Sequence, residues 1–274
     1  MTGFVLEVLW TIKGIGAASG LIYQDDRLHI IADDSNYLYS YCIYAEQLHK
    51  TLLINATVNE NIPKKDKPDF EAISLYGDSL YIFGSGSTAH RTDLVALNLQ
   101  TQEIKHSKLS QRYQCLQDKF NIAQEDFNIE GALYHQDAWW LFNRGNGPKM
   151  QNGFFILGED KESAMTYNAI RLPPINGVAA GFTDAILYQG LIYFIAAAED
   201  VASTYLDGEV KGSMIGCMDP ISRTVLWTKQ ISDQHKFEGI CHYQSKAQEI
   251  SFLLCEDNDQ GAALTKIYKL SIAI

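Results

Sequence analysis

Phe70-Glu71-Ala72, Ile129-Glu130-Gly131, Thr183-Asp184-Ala185 and Phe237-Glu238-Gly239 are four versions of one triplet, with a fainter fifth at Ala18-Ser19-Gly20. Their central positions lie 52, 59, 54 and 54 residues apart. A fixed period of this length marks a repeat architecture, and the likeness runs beyond the triplet. Glu71 is followed by Ile73-Ser74-Leu75-Tyr76, Gly77-Asp78 and Leu80-Tyr81-Ile82-Phe83, while Glu130 is followed by Ala132-Leu133-Tyr134, a turn, and Trp139-Trp140-Leu141-Phe142. Apolar runs of that length on either side of a two-residue polar turn read as a β-hairpin. A third strand is expected at 37–43, 93–99, 153–157, 212–218 and 264–270, and a fourth at 50–54, 103–109, 165–170 and 224–228. Four-stranded units of about fifty residues, repeated without helices, describe an all-β propeller.

Counting the triplets gives five blades in one domain over residues 1–274. The last unit has three strands before the chain ends. A fourth is available at Phe4 to Ile12, where Val8-Leu9-Trp10-Thr11 repeats the letters of Val225-Leu226-Trp227-Thr228 in the outer strand of the fourth unit. The N-terminal strand is therefore expected to complete the last blade, which leaves no open edge in the ring. One segment departs from the pattern: from Ser107 to Asp126, Tyr113, Leu116 and Phe120 recur at helical spacing, so a short helix on the outside of the second or third blade is expected.

Charge narrows the function. Lys and Arg number 22 against 33 Asp and Glu, a net charge of −11. That balance disfavours a phosphate-tracking nucleic-acid binder and docking on anionic lipid. No apolar run approaches the ~18 residues of a spanning helix, and the N-terminus lacks the basic region of a signal peptide. Cys42, Cys115, Cys217, Cys241 and Cys255 are scattered and odd in number, the pattern of reduced thiols and of a cytoplasmic protein, unless a leader has been lost.

Propeller geometry places the repeated acids. The first strand of each blade lines the central channel, and its start lies beside the end of the second strand. Glu71, Glu130, Asp184 and Glu238 are expected to converge at one channel mouth as catalytic or metal-ligating groups. Lys67, Asn143, Arg144, Glu199, Asp200, Lys236 and Asp257 join them as candidate substrate-binding residues. Clustered carboxylates repel, so a cation, basic neighbours or retained protons must offset them. Hard oxygen donors suit Ca²⁺ or Mg²⁺. Two other readings stand beside the metal: carboxylates that accept backbone N–H groups of a neighbouring blade, and carboxylates paired with the adjacent Lys and Arg. His90 and His235 also fall near the mouth, where an isolated histidine reads first as a surface residue. Asp26, Asp78 and Asp137 sit in the hairpin turns on the opposite face and read as structural.

The triplets at Glu130 and Glu238, with Asn143 and Asp257, resemble motifs of the gluconolactonase and paraoxonase propellers and of esterase-like phytases. The resemblance implies a divalent cation, usually calcium, held at the channel mouth by a strand-start Glu with Asn and Asp from other blades. Those families usually carry six blades, so six is the alternative to the count of five. A wider set is similar to an uncharacterised bacterial propeller family over most of the chain: Lys67-Pro68-Asp69-Phe70-Glu71, Gly84-Ser85-Gly86-Ser87, Asn128-Ile129-Glu130-Gly131, Arg144-Gly145-Asn146, Gly181-Phe182-Thr183-Asp184 and Ala197-Ala198-Glu199-Asp200. Three functions follow as expectations. The first is a metal-dependent hydrolase of a small ester, lactone or phosphate ester. The alternatives are a glycoside-active five-bladed enzyme and a non-catalytic scaffold binding a small molecule or a protein partner.

Overall fold

A computed structural model describes residues 3–158, 165–200, 208–256 and 263–273. Among them, twenty strands form five four-stranded antiparallel sheets, the five blades of a propeller. Blade 1 is β2 (Ala18–Gln24), β3 (Arg27–Ala32), β4 (Tyr37–Cys42) and β5 (Gln47–Leu52). Blade 2 is β6 (Phe70–Tyr76), β7 (Ser79–Gly84), β8 (Asp93–Asn98) and β9 (Ile104–Lys108). Blade 3 is β10 (Ile129–His135), β11 (Ala138–Asn143), β12 (Gly153–Gly158) and β13 (Thr166–Ala169). Blade 4 is β14 (Gly181–Tyr188), β15 (Leu191–Asp200), β16 (Glu209–Asp219) and β17 (Thr224–Ser232). Blade 5 is β18 (Phe237–Lys246), β19 (Glu249–Glu256) and β20 (Leu264–Ala273), completed on its outer edge by β1 (Phe4–Lys13). The count of five and the closing strand stand as read from the repeat.

Local chemistry explains the blades. The first hairpin of each blade turns on two residues. In three blades both are left-handed: Asp25 and Asp26, Gln136 and Asp137, Gln189 and Gly190. Positive φ at both central positions is the type I′ turn, whose twist matches that of the flanking strands. The core is divided among the blade interfaces. Five buried clusters each join two neighbouring blades, such as Phe142, Phe154, Phe182 and Phe194 between blades 3 and 4. Each buried Phe or Leu contributes about 1.5–3 kcal/mol of apolar transfer energy, so the ring is held blade to blade.

The expected helix is α1 (Ser110–Phe120), followed by a single 3₁₀ turn at Gln124–Asp126. It lies over the mouth-side junction of blades 2 and 3, not along the outside of either. Tyr113 and Leu116 pack with Phe83, Phe127 and Phe155, and the Tyr113 hydroxyl donates to the Gly84 carbonyl at 3.0 Å. All five cysteines are free thiols, and three of them are buried. Among the described residues no helix is long and apolar enough to cross a membrane.

The first strands carry the feature that builds the site. Each has a bulge at its start: the register skips Ser19, Glu71, Glu130, Thr183 and Glu238 in blades 1 to 5. The residue before each bulge is fully buried: Ala18, Phe70, Ile129, Phe182 and Phe237. In four blades the residue after it is small, Gly20, Ala72, Gly131 and Gly239, while blade 4 has Asp184 there. A Cβ on Gly131 would lie 3.0 Å from the Cα of Asp184, and one on Gly239 would lie 2.8 Å from the Cα of Gly20. The repeating unit is thus a buried apolar anchor, a bulged polar residue and, in every blade but the fourth, a small residue against the next blade. Bulges re-aim single side chains without ending the strand, and here they turn one polar group per blade toward the channel.

Candidate functional site

The bulge register corrects the sequence alignment in blade 4. Thr183, not Asp184, is the equivalent of Glu71, Glu130 and Glu238. Thr183 and Ser19 act alike, donating through their hydroxyls to the carbonyls of Phe237 at 2.7 Å and Phe70 at 2.5 Å, each on the inner strand of the next blade. Asp184 is buried one position further on. Its two oxygens accept the backbone N–H of Ala185 at 2.7 Å and of Ile240 in blade 5 at 2.9 Å. Burial pushes its carboxyl well above the usual range, against the pull of those two N–H donors. Asp184 is an inter-blade lock, and the acidic ring contains three carboxylates.

Those three converge. One oxygen each from Glu71, Glu130 and Glu238 lies within 4.8 Å of the others, and a second trio on the same terms joins Asp33, Asp69 and Glu71. Glu71 belongs to both. Basic groups hold the acids on either side of it. Arg144, 6 % exposed, donates to Glu130 Oε1 at 3.2 Å and to Glu199 Oε2 at 2.6 Å, and lies 3.8 Å from Glu238 Oε1. Lys236 Nζ sits 2.6 Å from Glu238 and 3.2 Å from Glu199. On the other flank Lys67 pairs with Asp33 and lies 2.8 Å from Asp69, which also receives Arg91 at 2.9 Å. Asp69 accepts the Ser85 hydroxyl as well, and the Ser87 hydroxyl at 3.0 Å.

The titration behaviour follows this pairing. Burial raises Glu199 and Asp69, but the cations outweigh it and both carboxyls end below the usual range: Arg144 and Lys236 act on Glu199, Lys67 and Arg91 on Asp69. Glu130 is pushed up to about 7, first by burial and then by Glu238, against Arg144. Asp33 rises to about 6 through burial, despite Lys67. Glu71 is half-buried, and among the described residues no basic nitrogen comes within 4.0 Å of it. Burial lifts its carboxyl well above the usual range, and Asp69, Asp33, Glu130 and Glu238 add to the rise. The network counts six carboxylates, Asp33, Asp69, Glu71, Glu130, Glu199 and Glu238, against the four cations Lys67, Arg91, Arg144 and Lys236. With every carboxyl ionised, two negative charges would lack a partner, and burial first, then that surplus, raises Glu71, Glu130 and Asp33.

Other candidates fall elsewhere. Asn143 is fully buried and fully used: its amide donates to the carbonyls of Asp126 at 2.9 Å and Gln151 at 2.7 Å, and its oxygen accepts the Asn128 N–H at 2.8 Å. Asp200 sits at the rim, 62 % exposed, with Lys211 3.7 Å away. Asp257 lies outside the described residues. Asp69 and Thr183 were not among the candidates. Phe182, aligned with Phe70 and Phe237, was the available signal for Thr183, and the left-handed backbone of Asp69, φ 57°, is invisible in sequence.

A sequence model of a family of unknown function (DUF6929) matches residues 14–272. No curated protein matches the chain. Among solved structures the fold is similar to that of Myxococcus xanthus glutaminyl cyclase, with a TM-score of 0.55 and 10% identity over 99% of this chain and 98% of that one. The Malassezia sympodialis allergen Mala s 1 gives 0.56 and 11% over 95% of each chain. An exo-1,5-α-L-arabinanase from a bovine ruminal metagenomic library gives 0.53 and 11% over 93% of this chain and 92% of that one. At such identity the likeness is one of fold.

Proposed function

We propose, for a chain that belongs to the DUF6929 family, that the channel mouth is the site of a cation-dependent hydrolase acting on a small ester, lactone or phosphate ester. The observation that carries the reading is Glu71, a carboxylate beside four others with no basic nitrogen within 4.0 Å among the described residues, in a network of six carboxyl groups and four cations. Two proteins that share the fold bear enzyme names, a glutaminyl cyclase and an arabinanase, so the scaffold is one that carries catalysis.

Both acidic trios are partly taken by basic groups: Asp33 and Asp69 by Lys67 and Arg91, and Glu130 and Glu238 by Arg144 and Lys236, so a metal would have to displace a cation at either. Glu71, Glu130 and Glu238 offer hard oxygens within 4.8 Å of one another, and Glu71, which both trios share, has no basic nitrogen within 4.0 Å among the described residues. That set fits Ca²⁺ or Mg²⁺ and not a soft metal. A divalent ion held there supplies Lewis acidity toward a carbonyl or phosphoryl oxygen and acidifies water. Arg144 and Lys236 fix the carboxylates of Glu130, Glu199 and Glu238 in one geometry. Both cations are committed to those acids, so orienting an anionic substrate would require them to shift.

Melting and elemental analysis test the reading. A ligand that binds only the folded state at a hundred times its dissociation constant adds about 2.7 kcal/mol, or about 5–10 °C in Tm for a chain of this size. Calcium or magnesium should raise Tm by that order relative to chelator, and Glu71→Gln should abolish most of the difference. Equal melting in metal and chelator, with no bound metal, would overturn the cation and leave two retained protons and a ligand-binding scaffold.

A further inference from the structure

His235 precedes the bulge of blade 5 and does not stand alone. Its Nδ1 lies 2.6 Å from Glu256 Oε2, at the end of β19. The other oxygen of that carboxylate, Oε1, accepts the Tyr268 hydroxyl at 2.6 Å, from β20. Glu256 is therefore used on both sides, and its charge sits where Nδ1 must carry a proton. The ring is flanked by tilted aromatic neighbours, its centroid 5.4 Å from that of Phe237 and 5.1 Å from that of Tyr268. The backbone is held as firmly. The Ser232 hydroxyl accepts the His235 N–H at 2.9 Å, and Ser213 donates its hydroxyl to the His235 carbonyl at 2.8 Å. With Nδ1 bonded to a carboxylate, the neutral imidazole keeps its lone pair on Nε2. Among the described residues nothing bonds to Nε2, and the side chain is 33 % exposed.

The position adds the second argument. The next residue, Lys236, reaches into the acidic ring, and Glu238 on the same strand belongs to it. Phe237 pairs with Glu256 in the sheet, so the imidazole sits on the mouth face, one strand outward from the ring. A base oriented by a carboxylate that is itself anchored by a third group is the arrangement that general-base catalysis requires.

We infer that His235 is the general base of the mouth, with Glu256 and Tyr268 as its positioning residues. The inference rests on the hydrolase reading and deepens it toward esters and lactones. Nε2 takes a proton from water as the water oxygen bonds to the carbonyl carbon. The tetrahedral adduct then breaks its carbon–oxygen bond to the leaving alkoxide, and the imidazolium returns the proton to that oxygen. The imidazole ends neutral, and the products are an acid and an alcohol. The sequence reading of His235 as a surface residue missed its partners, which lie 21 and 33 positions further on.

Two measurements separate this inference from the hydrolase reading. In the first, the whole protein is treated with diethyl pyrocarbonate near neutral pH and modification is followed site by site by mass spectrometry. His235 should react faster than the exposed His49, His90 and His106. Glu256→Gln, whose amide can donate to Nδ1 and move the proton to Nε2, should slow His235 several-fold and leave those three unchanged. A His235 rate no greater than theirs, or unaffected by Glu256→Gln, would overturn the inference whatever the protein hydrolyses. In the second, p-nitrophenyl acetate is the probe. His235→Asn, with unchanged Tm and unchanged metal response, should lower its hydrolysis about 10²–10⁴-fold. Hydrolysis retained in that variant overturns His235 and leaves the hydrolase reading intact. Absence of hydrolysis in the wild type sinks the hydrolase reading and the general base with it, even where the reactivity pattern shows the imidazole polarised.

Discussion

At the scale of single residues, the mouth is a problem of charge spacing. Glu130 is buried beside Glu238 and reached by Arg144, and the balance leaves it protonated up to about pH 7. Its folded-state value is raised above the ordinary 4.5, so the folded protein holds this proton more tightly than the unfolded chain. The stability that follows is fully present below about pH 4.5 and is lost as pH rises through about 7. Glu199 and Asp69 are depressed and work in the opposite sense. Their stabilisation is present above their unfolded values and is lost as pH falls through their folded ones, below the Glu130 window. Metal-free protein should therefore lose Tm between about pH 4.5 and 7, and Glu130→Gln should reduce that slope, the remainder coming from Asp33, Glu71 and Asp184, which are raised in the same sense. Equal slopes for wild type and variant across the window would show that Glu130 is ionised throughout. Arg144 cannot be removed as gently, because three carboxylates depend on one buried guanidinium. Breaking such a network costs about 3–5 kcal/mol.

At the scale of strands, the bulges decide which side chains face the channel, and blade 4 shows how much one residue of register matters. Aligning Asp184 with three glutamates followed charge, and it failed because register follows packing: Phe182 fills the anchor site that Phe70 and Phe237 fill. Moved by one position, Asp184 faces blade 5 and receives two backbone N–H groups. Asp184→Ala would leave the N–H groups of Ala185 and Ile240 buried without that acceptor, at a cost of about 1–3 kcal/mol. Urea denaturation should register that loss, with the difference between metal and chelator unchanged. A variant of wild-type stability that no longer responds to metal would return Asp184 to the site. Much else at this scale was legible. The repeat, its apolar runs and the paired turn residues located the strands within a few positions, and Tyr113, Leu116 and Phe120 located the helix. The pairing of the acids was not legible. Arg144 meets Glu199 across 55 residues of sequence, and only the closure of the ring brings blades 3, 4 and 5 to one guanidinium.

At the scale of the whole molecule, the ring depends on a single seam. Every blade but the last is built from consecutive strands, and blade 5 is completed by β1, which pairs with β20 from Phe4↔Ile272 to Lys13↔Leu264. The strand serves both neighbouring interfaces. Ile12 with Leu9 and Trp10 packs into the cluster shared with blade 1, and Phe4 and Leu6 pack into the cluster shared with blade 4. Removing residues 1–12 deletes these contacts and bares β20, whose Tyr268, Leu270 and Ile272 are buried in the intact protein. An uncovered apolar edge pairs with other chains, so the truncated protein should melt lower and aggregate. The defect should also be repairable from outside. A synthetic peptide of residues 3–13 carries the missing strand and should dock by β-augmentation, restoring Tm as its concentration rises. Because Tyr268 anchors Glu256, opening the seam should also loosen the carboxylate that orients His235, and the peptide should restore the reactivity of that histidine along with the fold. Light scattering and melting curves with and without the peptide measure this. A truncated chain that stays dispersed at unchanged Tm would mean that the β1–β20 pairing does not close the ring.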